Sequence, residues 1–242
     1  MLSGTEHYLA LDAVRYANNS LNLQIFEELI GLFRAQAPIP DDAEFPLVQP
    51  SLPSYAFPAD VLTSARLDAA LSPKRLELIR ASIRNPATTA RADAPICYIA
   101  PWEPGVIRDA TVDLVLSQSV LEYPRDLAGI YAEMCRWLKP GGVMSHEIDF
   151  KSMGLTTEWN GHWSCSDAVW RLAAGRRRNR VNREPHSTHI ALIEKMGCRI
   201  VRDQRIMRPS GITRAQLAPR FHFLVDDDLT TSSALIQAVK PA

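Results

Sequence analysis

One stretch of this 242-residue chain restricts the fold more than any other, because two strands and a helix follow one another between residues 112 and 150. Val112–Ser117 is a short apolar run typical of a buried strand, and Asp126–Trp137 carries apolar residues at helical spacing. Lys139–Gly142 predicts a tight turn, after which Val143–Phe150 predicts a second strand. Such a unit joins two parallel strands by a right-handed crossover. The sequence therefore predicts an α/β fold.

Strands and helices alternate along the rest of the chain, which extends the α/β prediction to its whole length. The last two predicted strands can pair antiparallel at a sheet edge. The predicted strands are His7–Leu11, Ile96–Ala100, Cys198–Met207 and Ala234–Val239, and the predicted helices are Leu21–Arg34, Pro73–Ile83, Ser166–Ala174 and Ser187–Met196.

A proline-rich segment interrupts this pattern. Six prolines within residues 38–58 exclude a regular helix or an inner strand. The segment also carries three aromatic side chains, among them Phe45 and Phe57, and these favour a packed flap over a flexible linker. We therefore expect a single domain over residues 1–242 with a proline-rich insertion or flap at 37–60.

Composition limits the partners and the compartment of the protein. Lys and Arg together number 27, as do Asp and Glu, so the formal net charge is zero, which argues against a general nucleic-acid-binding or membrane-binding surface. No apolar run is long enough to span a bilayer, and the N-terminal residues lack the basic and apolar regions of a signal peptide. The four cysteines are too far apart to form a Cys-x-x-Cys metal or redox pair. We therefore expect reduced thiols, no metal site and a cytoplasmic protein.

The run from Val112 to Asp149 resembles the second half of a class I S-adenosylmethionine-dependent methyltransferase, with a methyltransferase type 11-like domain. In that family the fourth strand ends in a small polar residue, here Ser117, and a V-L-E-H-like turn follows, here Val120–Tyr123. A helix, the motif L-K-P-G-G, here Leu138–Gly142, and the fifth strand come next. The resemblance implies a Rossmann-like sheet in the strand order 3-2-1-4-5-7-6, mostly parallel with an antiparallel edge pair.

One family motif has no counterpart in the sequence. The glycine-rich loop of the form E/D-x-G-x-G, which lies between the family's first strand and first helix, does not occur here. Because His7–Leu11 corresponds to the second strand, we expect the first strand and helix to be missing, which leaves the second and fourth strands without their shared neighbour. This predicts an N-terminally truncated chain, a start codon placed too late, or a remnant with altered cofactor binding.

The resemblance implies S-adenosylmethionine as the cofactor and assigns four residues to it. Asp12 matches the acidic residue that binds both ribose hydroxyls, which one carboxylate can accept together. Trp102 stands where the family often has Asp beside the adenine, and an indole can stack on that base instead. Ser117 and Gln118 are expected to line the cofactor cleft.

The acceptor is expected near the end of the strand Val143–Phe150, since ligands of open α/β sheets lie beyond the carboxyl ends of the strands. The catalytic candidates are Asp149, His162, on a loop that can overhang the pocket, and His146, for which a structural role is the alternative. Glu122 can contact the acceptor or cap the following turn. Other polar or aromatic candidates are the pair His186 and His189, which lacks a third metal ligand, and Trp159, Trp163 and Trp170, which form core or a pocket wall.

These observations predict methyl transfer from S-adenosylmethionine to a small-molecule or glycan-type acceptor. One alternative is a non-catalytic methyltransferase-like binding module, or a truncated fragment, that does not bind the cofactor. Another is an RNA-binding or RNA-modifying protein. It would bind RNA through a basic cluster formed by Arg176, Arg177, Arg178, Arg180 and Arg183. The other interpretations of this cluster are a solvated surface and a site for a phosphate or carboxylate of the acceptor. The oligomeric state is not predicted.

Overall fold

The computed structural model describes residues 1–40, 51–91, 93–175 and 180–242. The chain divides into two compact units, Met1–Ile107 and Arg108–Ala242. No helix in the described ranges is long and apolar enough to cross a membrane. The expectation of a single domain stays a prediction.

The first unit combines a parallel strand pair with helices. Strand β1 (Tyr8–Leu11) lies beside β2 (Ile96–Ile99), with Tyr8 opposite Ile96 and Leu11 opposite Ile99. The helices are α1 (Asn19–Arg34), α2 (Ser64–Ala70) and α3 (Pro73–Arg84). Helices α1 and α3 share an apolar core, whose buried members are Leu2, Phe26, Ile30, Leu76 and Ile79.

Local signals explain where these helices begin. The Asn18 side chain accepts a hydrogen bond from the amide of Leu21 at 3.1 Å and thereby caps α1. Proline at the first position of α3 matches the prediction, since its fixed φ suits a first turn. Helix α2 was not predicted, because seven residues are too few for its apolar spacing to stand out.

Part of the predicted flap lies outside the described residues, namely 41–50, which include Phe45. On its C-terminal side, the Phe57 ring packs edge-on against Phe33 of α1, with ring centroids 6.0 Å apart. The amide of Ile39 donates to the Tyr55 carbonyl at 2.8 Å. These contacts join the two described flanks of the segment to each other and to the end of α1.

The second unit is built on a mixed sheet in the order β3-β4-β6-β5. Strands β3 (Val112–Gln118) and β4 (Leu138–Asp149) are parallel and are joined by the crossover helix α4 (Leu127–Trp137). Strand β6 is antiparallel to both of its neighbours, so the predicted antiparallel edge pair is confirmed. The remaining elements are α5 (Asp167–Ala174), α6 (His186–Lys195), β5 (Arg199–Met207), α7 (Asp226–Thr230) and β6 (Thr231–Val239).

The strand orders agree with those that the resemblance implies, and the α/β prediction is confirmed. The order β3-β4-β6-β5 corresponds to the family's strands 4-5-7-6, and the pair β1-β2 corresponds to strands 2 and 3. Among the described strands, β1 pairs with β2 alone and β3 pairs with β4 alone. Leu114 and Leu116 of β3 are accordingly 52% and 61% exposed.

The segment Lys139–Gly142 differs from its prediction as a separate turn. Strand β4 begins at Leu138, opposite Val112, and the pairing register shifts between Val112 and Leu114. Gly141 has a φ of +77°, which an L side chain rarely adopts, and its amide donates to the Lys240 carbonyl at 2.9 Å. The motif is therefore an irregular start of the strand, held by the end of the chain.

Candidate functional site

In the first unit, Asp12 lies directly after β1 and is half-buried. Its amide donates to the carbonyl of Ile99 at 3.1 Å, which fixes the residue at the carboxyl edge of the strand pair. Its Oδ2 accepts from the hydroxyl of Tyr98 at 2.8 Å. Among the described residues, Oδ1 accepts no hydrogen bond, so this oxygen can accept from a ribose hydroxyl.

The loop after Asp12 is held by the same tyrosine. The Tyr98 hydroxyl oxygen accepts from the amides of Tyr16 at 2.8 Å and Ala17 at 3.2 Å. Trp102 follows β2 by three residues and is half-exposed. A carboxylate and an indole thus stand at the carboxyl ends of neighbouring parallel strands. These are suitable groups for a ribose and a purine.

A cavity of about 550 Å³ in this unit lies away from Asp12 and Trp102. It is formed by the C-terminal part of α3 and by the residues that lead into β2, such as Asn85, Thr88 and Pro95. It therefore opens at the amino end of β2, whereas ligands of parallel sheets bind at the carboxyl ends. We assign no role to it.

In the second unit, the two residues predicted to line the cofactor cleft differ in their surroundings. Ser117 Oγ forms a hydrogen bond of 2.8 Å with Nδ1 of His146, its register partner on β4. Gln118 is exposed at the end of β3. The Ser117 hydroxyl is thus directed at a buried ring, while the Gln118 side chain is accessible.

His146 belongs to the core of the second unit rather than to its surface. It alternates with Met144 and Ile148 on the buried face of β4. The ring lies 6.0 Å from that of Tyr131, whose hydroxyl forms a hydrogen bond of 2.9 Å with Nδ1 of His189 on α6. Burial lowers the pKa of His146 to about 4 and that of His189 to about 3, so both are neutral at pH 7.

In the described ranges, no group of three or more His, Cys, Asp or Glu side chains is placed to hold a metal ion. His186, on the same helix as His189, instead forms a hydrogen bond of 2.8 Å with Asp203.

Acidification should destabilise the second unit through these buried imidazoles. Unfolding returns each pKa to about 6.5, so the unfolded chain binds protons below that pH while the folded chain does not. Each histidine should lower the free energy of unfolding by about 1.4 kcal/mol per pH unit below its unfolded pKa, until the folded pKa is reached. Urea titrations followed by tryptophan fluorescence at pH values between 7.5 and 5 measure this loss.

The variant His189→Gln should show a flatter pH dependence than the parent, because one of the two imidazoles is removed. The matched control His7→Gln replaces an exposed histidine and should leave the slope unchanged. Equal slopes in parent and His189→Gln would contradict the assignment of a buried neutral ring.

The sequence predicted that His162 lies on a loop that can overhang the pocket, but the structure places it in a buried turn. It lies in the 3-10 turn Gly161–Ser164 and is 1% exposed. Its ring centroid is 4.6 Å from that of Trp163 and 6.0 Å from that of Trp170. Burial and the charge of Arg183 lower its pKa to about 3. The turn is buried because these indoles provide enough apolar surface to cover a neutral imidazole.

The predicted basic cluster is divided by the structure. Residues 176–178 lie outside the described ranges. Arg183 is 4% exposed, packs over the rings of Trp170 and Phe221, and forms an ion pair with Asp167. It also donates to the Cys165 carbonyl at 2.8 Å. Arg183 therefore supports the fold and is not a solvated anion-binding side chain.

Carboxyl groups gather at the carboxyl ends of β3 and β4. Glu147 and Asp149 lie two residues apart on β4, so they share the face opposite to His146. Both Asp149 oxygens accept from Lys151, Oδ1 from its amide and Oδ2 from its ammonium, each at 2.7 Å. Glu147 accepts from the Ser119 hydroxyl at 3.3 Å.

Glu122, in the turn after β3, completes this group. It is 3% exposed, and neither carboxyl oxygen accepts a hydrogen bond from another described residue. Burial raises the pKa of Glu122 to about 7. A contact with its own backbone amide lowers this pKa, the charges of Asp149 and Glu147 raise it further, and that of Lys151 lowers it. Glu122 follows the end of β3 by four residues, and the parallel strands β3 and β4 end at the same edge of the sheet, so its turn lies beside Glu147 and Asp149. We call these three carboxyl groups and Lys151 the acidic cluster.

Asn182 holds the turn that carries Glu122. Its amide donates to the Glu122 carbonyl at 2.6 Å. Its side-chain nitrogen donates to the carbonyls of Leu121 at 2.8 Å and Pro124 at 3.0 Å. A residue sixty positions away in the sequence thus fixes the backbone of the turn.

Residues 60–145 match a family described as "Methyltransferase domain". The resemblance to a methyltransferase domain is confirmed. The matched segment runs from before α2 into β4 and contains Trp102, Ser117, Gln118 and Glu122.

Solved methyltransferase structures are similar to part of the chain. One is an S-adenosylmethionine-dependent methyltransferase from Mesorhizobium loti, at 17% identity and a TM-score of 0.41, over 69% of this chain and 76% of that chain. Another is phosphoethanolamine N-methyltransferase 2 from Haemonchus contortus with S-adenosyl-L-methionine, at 14% identity and a TM-score of 0.40, over 72% and 41% of the two chains.

A third similarity is to a chain of the Haloferax volcanii complex between the Trm112 methyltransferase activator and a protein assigned as a methyltransferase. It has 17% identity and a TM-score of 0.39, over 63% of this chain and 65% of that chain. No curated protein matches the chain.

Sequence reasoning did not single out three residues around the methyltransferase segment: Glu147, Lys151 and Asn182. The alternation along β4 was a usable signal for Glu147, because it places this residue on the face of Asp149. No sequence signal marked Asn182, since its partners are distant in the chain.

Replacement of Glu122 by glutamine should change how stability depends on pH. A carboxyl group whose folded pKa is raised from 4.5 to about 7 binds its proton more tightly in the folded chain. Glu122 should therefore cost the parent on the order of 2 kcal/mol as the pH rises from 4.5 to 7, opposite in sign to the effect of the buried histidines. Glu122→Gln should gain that much stability relative to the parent over this range. Urea titrations of both proteins at about pH 5 and about pH 8 measure the difference.

The control Glu158→Gln removes an exposed carboxylate and should keep the parent's pH dependence. If the stabilities of the parent and of Glu122→Gln change by the same amount over this range, Glu122 is not buried without a partner.

Proposed function

We propose that the chain transfers a methyl group from S-adenosylmethionine to a small-molecule or glycan-type acceptor. The observation that carries this proposal is the strand–helix–strand segment, with its L-K-P-G-G motif, that matches a methyltransferase domain over residues 60–145. The parallel pairing of β3 with β4 and the antiparallel strand β6 support it.

Asp12 and Trp102 are the groups of the first unit that would hold the cofactor. The unpaired oxygen of Asp12 fits a ribose hydroxyl, and the half-exposed indole of Trp102 fits an adenine face. Ser117 and Gln118 remain part of the proposal in the second unit. When bound, the cofactor would supply a methyl group on a positively charged sulfur, for transfer to an electron pair of the acceptor with S-adenosylhomocysteine as the leaving group.

The chain's own contribution to catalysis is chiefly positioning and the exclusion of water. Where the acceptor has a proton to lose, Asp149 is the best supported base among the three residues that the sequence singled out, ahead of His146 and His162. It lies at the strand end and its side chain is 17% exposed, whereas both imidazoles are buried among apolar groups. We propose the two histidines as structural supports.

A cytoplasmic location is also part of this proposal. All four cysteines are free thiols, which supports a reducing compartment.

Cofactor binding should stabilise the chain and should depend on Asp12. S-adenosylhomocysteine at one hundred times its dissociation constant should add about 2.7 kcal/mol to the free energy of unfolding. Asp12→Asn keeps an acceptor for the Tyr98 hydroxyl but removes the charge, so affinity should fall about tenfold or more. Thermal unfolding and calorimetric titration measure the two effects.

The matched control is Asp68→Asn, on the exposed face of α2, which should bind like the parent. A cooperative transition with no shift on adding S-adenosylhomocysteine would instead favour the alternative, a non-catalytic methyltransferase-like module. That alternative is supported by the absence of an E/D-x-G-x-G motif from the sequence.

A further inference from the structure

The charges of the acidic cluster do not balance. It contains three carboxyl groups, Glu122, Glu147 and Asp149, and the ammonium of Lys151. That ammonium and the Lys151 amide already satisfy Asp149, and the Ser119 hydroxyl serves Glu147. Glu122 is the member that has no partner on another described residue, although it is 97% buried.

A buried carboxylate without a partner is strongly unfavourable in a folded protein. Two arrangements remove the penalty: a proton on Glu122, or a cation beside it. With a pKa of about 7, Glu122 changes between these states near neutral pH. The hydroxyl of Tyr123 cannot serve as this cation, because a phenol carries no positive charge. Burial and the charge of Glu122 raise the pKa of Tyr123.

The location of the cluster points to a ligand rather than to a structural pair. It lies at the carboxyl ends of two parallel strands, which is where open α/β sheets bind ligands. Glu147 and Asp149 are only half-buried, so a ligand that approaches this edge meets two further carboxyl groups. Carboxyl groups at such an edge attract cations and repel phosphates and carboxylates.

Lys151 shows that a carboxylate of the cluster binds a primary ammonium group. Its primary ammonium lies 2.7 Å from Asp149 Oδ2, the distance of a charge-assisted hydrogen bond. A second ammonium can make the same kind of contact with Glu122. A neutral hydroxyl would leave the excess negative charge uncompensated.

We propose that the acidic cluster is the acceptor subsite for a small amine, and that Glu122 binds the acceptor's ammonium group and then takes its proton. This inference rests on the proposed methyl transfer and names its substrate class. One N–H bond of the ammonium breaks and an O–H bond forms on Glu122, which leaves the electron pair on nitrogen. The neutral amine is then able to accept a methyl group, as the protonated form is not.

The pKa of Glu122 suits this role. A general base is most effective when its pKa lies near the working pH, and about 7 meets that condition, whereas an ordinary glutamate is too weak a base. Release of the proton to water restores the carboxylate before the next acceptor arrives.

The binding step can be tested without the cofactor. Carbon-13 NMR of the side-chain carboxyls follows the titration of Glu122 in the full chain, and Glu122→Gln identifies its resonance by deletion. The probes are propylammonium, propanol and propionate at matched ionic strength. Propylammonium should lower the titration midpoint of Glu122 by about one pH unit, a tenfold preference for the carboxylate. Propanol and propionate should leave the midpoint unchanged, and so should propylammonium if the inference is wrong.

The second test measures transfer to a panel of primary amines and to the alcohols of the same carbon skeleton. Amines should be methylated in preference, and Glu122→Gln should lower their kcat/KM by about a hundredfold while the affinity for S-adenosylhomocysteine stays unchanged. The ascending limb of the parent's pH–rate profile near pH 7 should disappear in this variant. Glu158→Gln is the matched control and should retain the activity and the profile of the parent.

The two proposals fail in different ways. If S-adenosylhomocysteine does not bind, methyl transfer is overturned, and the amine acceptor with it, whatever propylammonium does. If it binds but alcohols are methylated as well as amines, or Glu122→Gln keeps full activity, the amine inference alone is overturned.

Discussion

The parallel pairing of β3 with β4 is the interaction on which the second unit depends. The crossover through α4 returns the chain so that both strands end at the same edge, and the Ser119 amide donates to the Glu147 carbonyl at 3.0 Å. This pairing brings the turn that carries Glu122 beside the last residues of β4. It also places His146 opposite Ser117, so one pairing register positions both the buried histidine and the acidic edge.

The two faces of β4 serve different purposes. Met144, His146 and Ile148 point into the core, where the low polarity keeps the imidazole neutral. Glu147 and Asp149 alternate with them and remain half-buried at the edge. Because the period of a strand is two, a slip of one residue would exchange these sets, burying the carboxylates and exposing the core.

Much of the fold could be predicted because its signals are local. The strands, the crossover helix and the antiparallel edge pair follow from apolar runs, helical spacing and Gly and Pro positions. The errors arose where distant contacts overrode local chemistry. Lys139–Gly142 is drawn into β4 by Val112 and by Lys240, and His162 is covered by indoles that sequence patterns do not place around it.

The sequence by itself determined the α/β class, the methyltransferase resemblance and the candidates at the strand ends, among them Asp12 and Asp149. These depend on periodicity and on short motifs, which are properties of neighbouring residues. Only the tertiary structure decided which candidates are neutral, paired or unpaired. Burial and hydrogen bonding are set by residues far apart in the chain, as Asn182 and the turn at Glu122 demonstrate. A glutamate is a weak base in water and a stronger one in a site of low polarity, and only the fold determines which environment surrounds it.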